Sequence, residues 1–320
     1  MNFYSSYVNN ASDVSYMSFC LSMDSIKVSN NIVYKLLAYL SCAVNIVTLP
    51  VAAIGNALVL AAIWRNTSLR TPSYLLLGVI ALTDFGTAIM SQPLYVIYRL
   101  AELYGNTRLF CFGSVISTIL PAYLTSIVMQ VIPLMAIERW LHISRRSFLT
   151  VRRVYTILSA CFVVPIPFFA ERIWSLLVTP LTVADAVMAS VFGVICFVST
   201  AVAYFKVFQI IRRHQMEVHA HQTTQNVYGQ PAINVAKYKR SVLTIFYILA
   251  LFLICYSPHL FGVAVLFTIN DFSTVSITFI YMSMTLLFMS STLSPLLYCW
   301  RIKEIRDEVR QIVKTVLWKN

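Results

Sequence analysis

Seven stretches without a full charge divide this chain of 320 residues, and nothing else constrains its fold as strongly. They run 36–64, 71–98 (broken by Asp84), 109–137, 154–170, 173–205 (broken by Asp185), 241–270 and 272–300. A helix needs roughly 20 apolar residues to cross about 30 Å of hydrocarbon. The shortest stretch, 154–170, just suffices. The stretch 173–205 is too long for one helix, so its outer part is expected to be a short extracellular loop. Only 11% of the residues are charged, against about 25% in a soluble domain. The expectation is an all-α membrane protein with a seven-transmembrane helix bundle over 36–300. A tail over 1–35 precedes it and an amphipathic surface helix over 301–320 follows.

Lys and Arg near the spans set orientation. With the N-terminus outside, 19 of the 24 basic residues fall on inner segments, among them Arg65, Arg70, Arg139, Arg145, Arg146, Arg152, Arg153, Arg212 and Arg213. Lys27, Lys35, Arg99, Arg108 and Arg172 fall outside. Five acids lie inside and six outside, giving +14 and −1, and Asp84 within the membrane completes the net +12. The charge is therefore topological, and no nucleic-acid partner is needed to explain it. The first 34 residues lack the basic, apolar and small-residue succession of a cleaved signal peptide. The first span is expected to act as an uncleaved anchor.

Asn10-Ala11-Ser12 is a glycosylation sequon on the outer tail, whereas Asn66-Thr67-Ser68 falls in an inner loop and should stay unmodified. Of seven cysteines, Cys42, Cys161, Cys196, Cys255 and Cys299 lie within spans and read as small hydrophobes. Cys20 and Cys111 alone face the oxidising side, so they are the one candidate disulfide pair. His214 to Gln230 is polar and reads as a mobile third inner loop. Beyond the last span, Ile302, Ile305, Val309, Ile312 and Val316 form one apolar stripe among Arg301, Lys303, Arg306, Arg310 and Lys314. A basic helix of that kind suits the lipids of an anionic inner leaflet.

Motifs recur in order, about one per span. Gly55-Asn56 lies in the first, Leu82-Thr83-Asp84 in the second, and Glu138-Arg139-Trp140 closes the third. Tyr204 stands near the end of the fifth, and Phe252 precedes Cys255-Tyr256-Ser257-Pro258 in the sixth. Ser294-Pro295-Leu296-Leu297-Tyr298 closes the seventh. From about residue 40 to 317 the chain resembles the rhodopsin-like G-protein-coupled receptors. The third-span motif is similar to their Asp/Glu-Arg-Tyr, the sixth to Cys-Trp-x-Pro and the seventh to Asn-Pro-x-x-Tyr. The resemblance implies a plasma-membrane receptor that couples an extracellular ligand to a heterotrimeric G protein. It gives Glu138, Arg139, Tyr204, Phe252, Tyr256, Pro258, Pro295 and Tyr298 to the activation switch. It also implies a sodium ion at Asp84, with Asn56, Ser291 and Ser294 as polar partners. Here Val128 and Ser294 replace the family's serine and asparagine, so a hydrated polar hinge without sodium stands as the alternative. No other cofactor is implied.

Other departures concern the ligand and the resting state. Tyr256 replaces the usual tryptophan, Cys196 the span-five proline, and Tyr238 the acid that faces the arginine from span six. Fewer restraints on the resting state imply raised basal activity. Residues 171–190 hold no cysteine, and Cys111 stands 28 residues before Arg139 where the family usually has 25. A short cysteine-free second loop and no span-five proline are similar to the melanocortin, cannabinoid and lysophospholipid receptors. Pro121 stands where amine receptors carry an aspartate, and span seven has no lysine for a retinal Schiff base. Candidate pocket residues are Tyr123, Asp185, Tyr256, His259 and Phe288, with His259 read as either a ligand contact or an interhelical hydrogen-bonder. A transporter needs repeated halves with charged or unwound elements at mid-membrane, and a channel needs polar rings from several subunits. An intramembrane enzyme needs paired acids, a Ser–His pair or metal ligands. A receptor fits better than all three.

Overall fold

The computed structural model describes residues 31–144, 150–178, 183–222, 235–269 and 273–317. Among them, helix α1 (Ile32–Arg65) opens on Asn31, whose side chain accepts from the amides of Val33 at 2.9 Å and Tyr34 at 3.4 Å. Such a cap satisfies donors that a helix start leaves unpaired. Helix α2 (Pro72–Gly86) starts on a proline, which loses nothing at the first helical position. A π turn over Thr87–Ser91 leads into α3 (Gln92–Leu103). Then come α4 (Thr107–Ile143), α5 (Val151–Val163), α6 (Pro165–Val178), α7 (Val183–Gln222), α8 (Val235–Ile269), α9 (Thr274–Arg301) and α10 (Lys303–Leu317). Pro165 marks the break between α5 and α6, and extended backbone at Ile302 turns the chain from α9 into α10.

Among the described residues, seven segments are long and apolar enough to cross a membrane: Ile32–Arg65, Pro72–Leu103, Ile116–His142, Val151–Ala170, Ser190–Ile210, Phe246–Leu266 and Thr274–Arg301. Large apolar side chains such as Val47, Ile54, Val194 and Ile195 point outward, while Asn45, Asn56, Asp84, Ser290, Ser291 and Ser294 are buried. Lipid is as apolar as leucine, so helices in it associate through close packing and hydrogen bonds rather than a hydrophobic drive. The polar interior follows from that.

Helix ends depart from the charge gaps. Span two continues past Arg99 and Glu102 to Leu103, and span four passes Glu171 and Arg172 to Val178. Of the stretch 173–205, expected to contain a loop, residues 173–178 and 183–205 are helical and 179–182 lie outside the described residues. Helix α7 runs on to Gln222, so His214–Gln222 is helical rather than a mobile loop. A charge ends the hydrocarbon crossing without ending the helix, because Arg, Glu, Lys and Gln are good helix formers. Residues 223–234, Asn10 and Cys20 lie outside the described residues, as do the side chains of Cys111 and Asp185. The stripe on α10 first packs on the bundle: Ile305 is fully buried, Ile302 and Val309 pack against the core, and Val316 is exposed. Asn66 donates to Glu308 Oε1 at 2.7 Å, tying α10 to the turn after α1.

Gly55 brings α1 against the seventh span. A Cβ there would lie 2.8 Å from Pro295 Cγ, and the proline ring cannot swing away. Overpacking of this kind costs about 1–3 kcal/mol. Gly55→Val should lower both the thermal midpoint of the purified protein and its surface level. A midpoint equal to the parent's would mean that α1 and α9 separate there without cost.

Candidate functional site

Arg139 stands one turn before the end of α4, a quarter exposed, beside the buried carboxylate of Glu138. Their Nε–Oε2 distance is 3.6 Å, an ion pair rather than a hydrogen bond. Glu138 is held from the other side by Ser73 of α2, whose hydroxyl donates to Oε2 at 2.7 Å. The acid is thus fixed and the arginine only loosely attached. Arg139 Nε has no hydrogen-bond partner. The hydroxyls of Tyr204 on α7 and Tyr298 on α9 are also buried without partners. This end therefore holds polar groups ready for new bonds once the helices move.

Aromatic contacts tie α8 to its neighbours at the same end. Phe246 lies edge-on to Tyr204 at 6.5 Å, and Tyr247 edge-on to Trp300 at 5.5 Å. The Arg301 guanidinium covers Tyr247 at 4.7 Å and Trp300 at 5.0 Å. Among the described residues, these contacts hold α8 to α7 and α9 in this region. Phe246, Tyr247 and Trp300 do not stand out in the sequence, because nothing within one helix announces contacts made across helices.

Asp84 is buried at mid-bundle. Ser291 donates to its Oδ1 at 2.9 Å, and Asn56 Nδ2 donates to the Ser291 carbonyl at 2.8 Å and to that of Ala52 at 2.9 Å. Asp84 Oδ2 and Asn56 Oδ1 have no hydrogen-bond partner. Ser294 turns its hydroxyl to the Ser290 carbonyl at 2.8 Å. Hard cations take oxygen ligands, and the free Asp84 oxygen with the Ser291 hydroxyl fits a small cation. Buried Val128 offers none from α4. The rings of Phe252 and Tyr256 meet at 5.1 Å, tilted by 50°, just before Pro258, and Pro258 and Pro295 both sit inside unbroken helices. Each removes one helical hydrogen bond, leaving a place to bend.

The proposed pocket residues fall on separate seams. Tyr123 donates to the Phe162 carbonyl at 2.8 Å and meets Phe169 edge-on at 5.5 Å. His259 Nδ1 lies 3.2 Å from Ser283 Oγ, an interhelical contact between α8 and α9. Phe288 is fully buried, edge-on to Tyr95 at 5.4 Å. These contacts hold helices together and do not by themselves outline a cavity.

A second polar cluster went unseen in the sequence. Arg99 and Glu102, read there as residues of an outer segment, are buried at the end of α3 opposite Arg139. Arg99 donates to Glu102 and, at 2.7 Å, to the Tyr34 hydroxyl, while Tyr34 donates to Glu102. Its guanidinium lies 3.7 Å from the Tyr281 ring centroid, within cation–π range. The signal available was the i, i+3 spacing of opposite charges, which also suits a solvated helix end.

Residues 55–298 match the family described as 7 transmembrane receptor (rhodopsin family). Melanocortin receptor 5 of Rattus norvegicus is 21% identical over 285 residues, covering 82% of this chain and 81% of that protein. Its counterpart in Mus musculus is 22% identical over the same shares. The high-affinity lysophosphatidic acid receptor of Xenopus laevis is 21% identical over 314 residues, covering 85% of this chain and 81% of its own length. Both kinds of relative fall within the receptor group that the short second loop and the missing span-five proline suggested. Seven spans, the order of the motifs and a family match over most of the chain agree: the chain belongs to the rhodopsin family of seven-transmembrane receptors and is a G-protein-coupled receptor.

Proposed function

We propose that this receptor lies in the plasma membrane with its N-terminus outside and activates a heterotrimeric G protein through Arg139. The observation that carries the reading is the loose ion pair at the end of α4, where Ser73 fixes Glu138 and Arg139 Nε has no hydrogen-bond partner. A ligand at the opposite end biases the helices about Pro258 and Pro295. The inner part of α8 leaves Tyr204 and Trp300, and Arg139 exchanges Glu138 for groups on the α-subunit, with Tyr204 and Tyr298 beside it. Asp84 couples the two ends, and Asp84 with Ser291 would hold a sodium ion in the resting state. The basic residues of α10 and its exposed Val316 rest on the inner leaflet, where each cation near an anionic surface is worth about 1 kcal/mol.

The relatives are named for melanocortins and for lysophosphatidic acid, so those ligands are the first to test here. Amines and retinal are disfavoured by Pro121 and by the lysine-free seventh span. The test is nucleotide exchange on added G proteins in membranes holding the receptor. It is run without ligand, then with melanocortins, lysophosphatidic acid, and panels of other peptides, lipids and small odorant-like compounds. Exchange above receptor-free membranes, raised further by one of these, is expected. Exchange no higher than in receptor-free membranes under every condition would overturn the coupling mechanism.

A further inference from the structure

We infer that the buried Arg99–Glu102 pair is a second switch, a clasp at the outer end that holds α1, α3 and α9 in the resting arrangement and is wired to Asp84. The inference rests on the receptor reading and goes beyond it, because neither residue belongs to the motifs that assign the switch at Arg139.

The clasp joins three helices. Glu102 receives Arg99 from its own helix and the Tyr34 hydroxyl from α1. Arg99 lies on the Tyr281 ring of α9 at 3.7 Å, and the Tyr281 and Tyr98 hydroxyls are 2.6 Å apart. Arg99 Nε is buried without a partner. Charges taken out of water are held by mutual attraction and hydrogen bonds, and removing one leaves the other uncompensated. A clasp of this kind is strong when closed and costly when half open, which suits a two-position element.

A lane of buried polar groups leads from it towards Asp84. Tyr95 donates to the Tyr281 carbonyl at 3.2 Å, and its hydroxyl lies 3.0 Å from Ser41 Oγ. Ser41 Oγ is 2.6 Å from Thr285 Oγ1, and Asn45 Nδ2 donates to the Ser41 carbonyl at 2.9 Å. Further inward, Asn56, Ser291 and Asp84 form the next connected group. Between the two groups in sequence, Ser91 Oγ, both amide atoms of Gln92, and Asn45 Oδ1 are buried without partners.

The π turn explains why the lane exists. It inserts one residue between Asp84 and Tyr95, turning everything beyond it by roughly 100°, one residue's share of a helical turn. Without that insertion Tyr95 and Arg99 would point elsewhere. Turns of this kind concentrate at functional sites.

In the same arrangement Arg139 is still paired with Glu138, so the closed clasp belongs with the resting state. Opening it frees the outer end of α9, and a restraint present in one state alone shifts the balance when it is lost.

The experiment measures ligand-free nucleotide exchange per surface receptor in the full chain. Glu102→Gln, which keeps the shape and removes the charge, should raise exchange roughly fivefold or more, the low end of coupling between distant sites. Glu102→Asp, which keeps the charge, should stay near the parent. In an Asp84→Asn background the effect of Glu102→Gln should shrink, since groups in one network are not additive. If Glu102→Gln fails to reach the surface, Tyr281→Phe decides, because it keeps the ring on Arg99 and loses the bond to Tyr98. Unchanged or lower exchange in the deciding variant overturns the clasp, and full additivity with Asp84→Asn overturns the wiring. Parent exchange that Arg139→Ala removes would still stand in either case, so failure of the clasp is separable from failure of the receptor mechanism.

Discussion

Arg139→Ala should remove G-protein activation almost entirely, by an order of magnitude or more in nucleotide exchange, while surface expression stays close to the parent's. The two halves of the expectation have different physical origins. Activation is lost because the arginine at the end of α4 combines a charge, partial exposure and a donor without a hydrogen-bond partner. A tenfold loss corresponds to only about 1.4 kcal/mol, less than one charge-assisted hydrogen bond can supply. Folding is largely spared because the resting pair is long, at 3.6 Å, and the arginine is a quarter exposed. Exposed pairs contribute about 1 kcal/mol or less, and the buried Glu138 adds the cost of losing its counter-charge. Glu138 keeps its hydrogen bond from Ser73 in the variant. The measurement is exchange on added G proteins at matched surface receptor number. Exchange equal to the parent's would overturn the role given to Arg139 and with it the coupling mechanism.

What could be read from the sequence depended on whether the signal was local. Seven spans follow from where charges are missing, since an ionised group at mid-membrane costs at least a few kcal/mol. Arg139, Pro258 and Pro295, the proposed switch residues, stand out in the sequence for a similar reason: each breaks the rule of its own helix. Partnerships across helices are another matter. Ser73 under Glu138 and Tyr247 under Arg301 join residues 65 and 54 positions apart, and no spacing within one helix announces them. Arg99 and Glu102 illustrate the limit most clearly. Their charges mark the end of a hydrocarbon stretch, which is how the sequence reads them. The π turn, absent from any composition count, swings them inward among tyrosines of two other helices.

Asp84→Asn should change the balance between the two states more than it changes folding. The substitution preserves the shape, and an asparagine oxygen can still accept from Ser291, which now lies 2.9 Å from Oδ1. The second carboxylate oxygen has no partner at present, so an amide there could donate to the orphan Asn56 oxygen. Loss of stability should therefore be modest. The proposed coupling requires that the partners of the charge differ between states. Ser291 sits on α9 one turn before Pro295, and any bend there moves the hydroxyl relative to α2. A group contributes to switching only through such a difference, and couplings of this type run from about 5-fold to 150-fold. Basal or ligand-stimulated exchange should change on that scale at matched expression. Sodium supplies a second readout. If Asp84 Oδ2 and Ser291 hold the ion, raising sodium at constant ionic strength suppresses basal exchange in the parent and leaves Asp84→Asn unaffected. Suppression equal in both would remove the ion from this site and leave a hydrated hinge. Basal and stimulated exchange identical to the parent's would show that the acid is tolerated by the bundle and does not couple its ends.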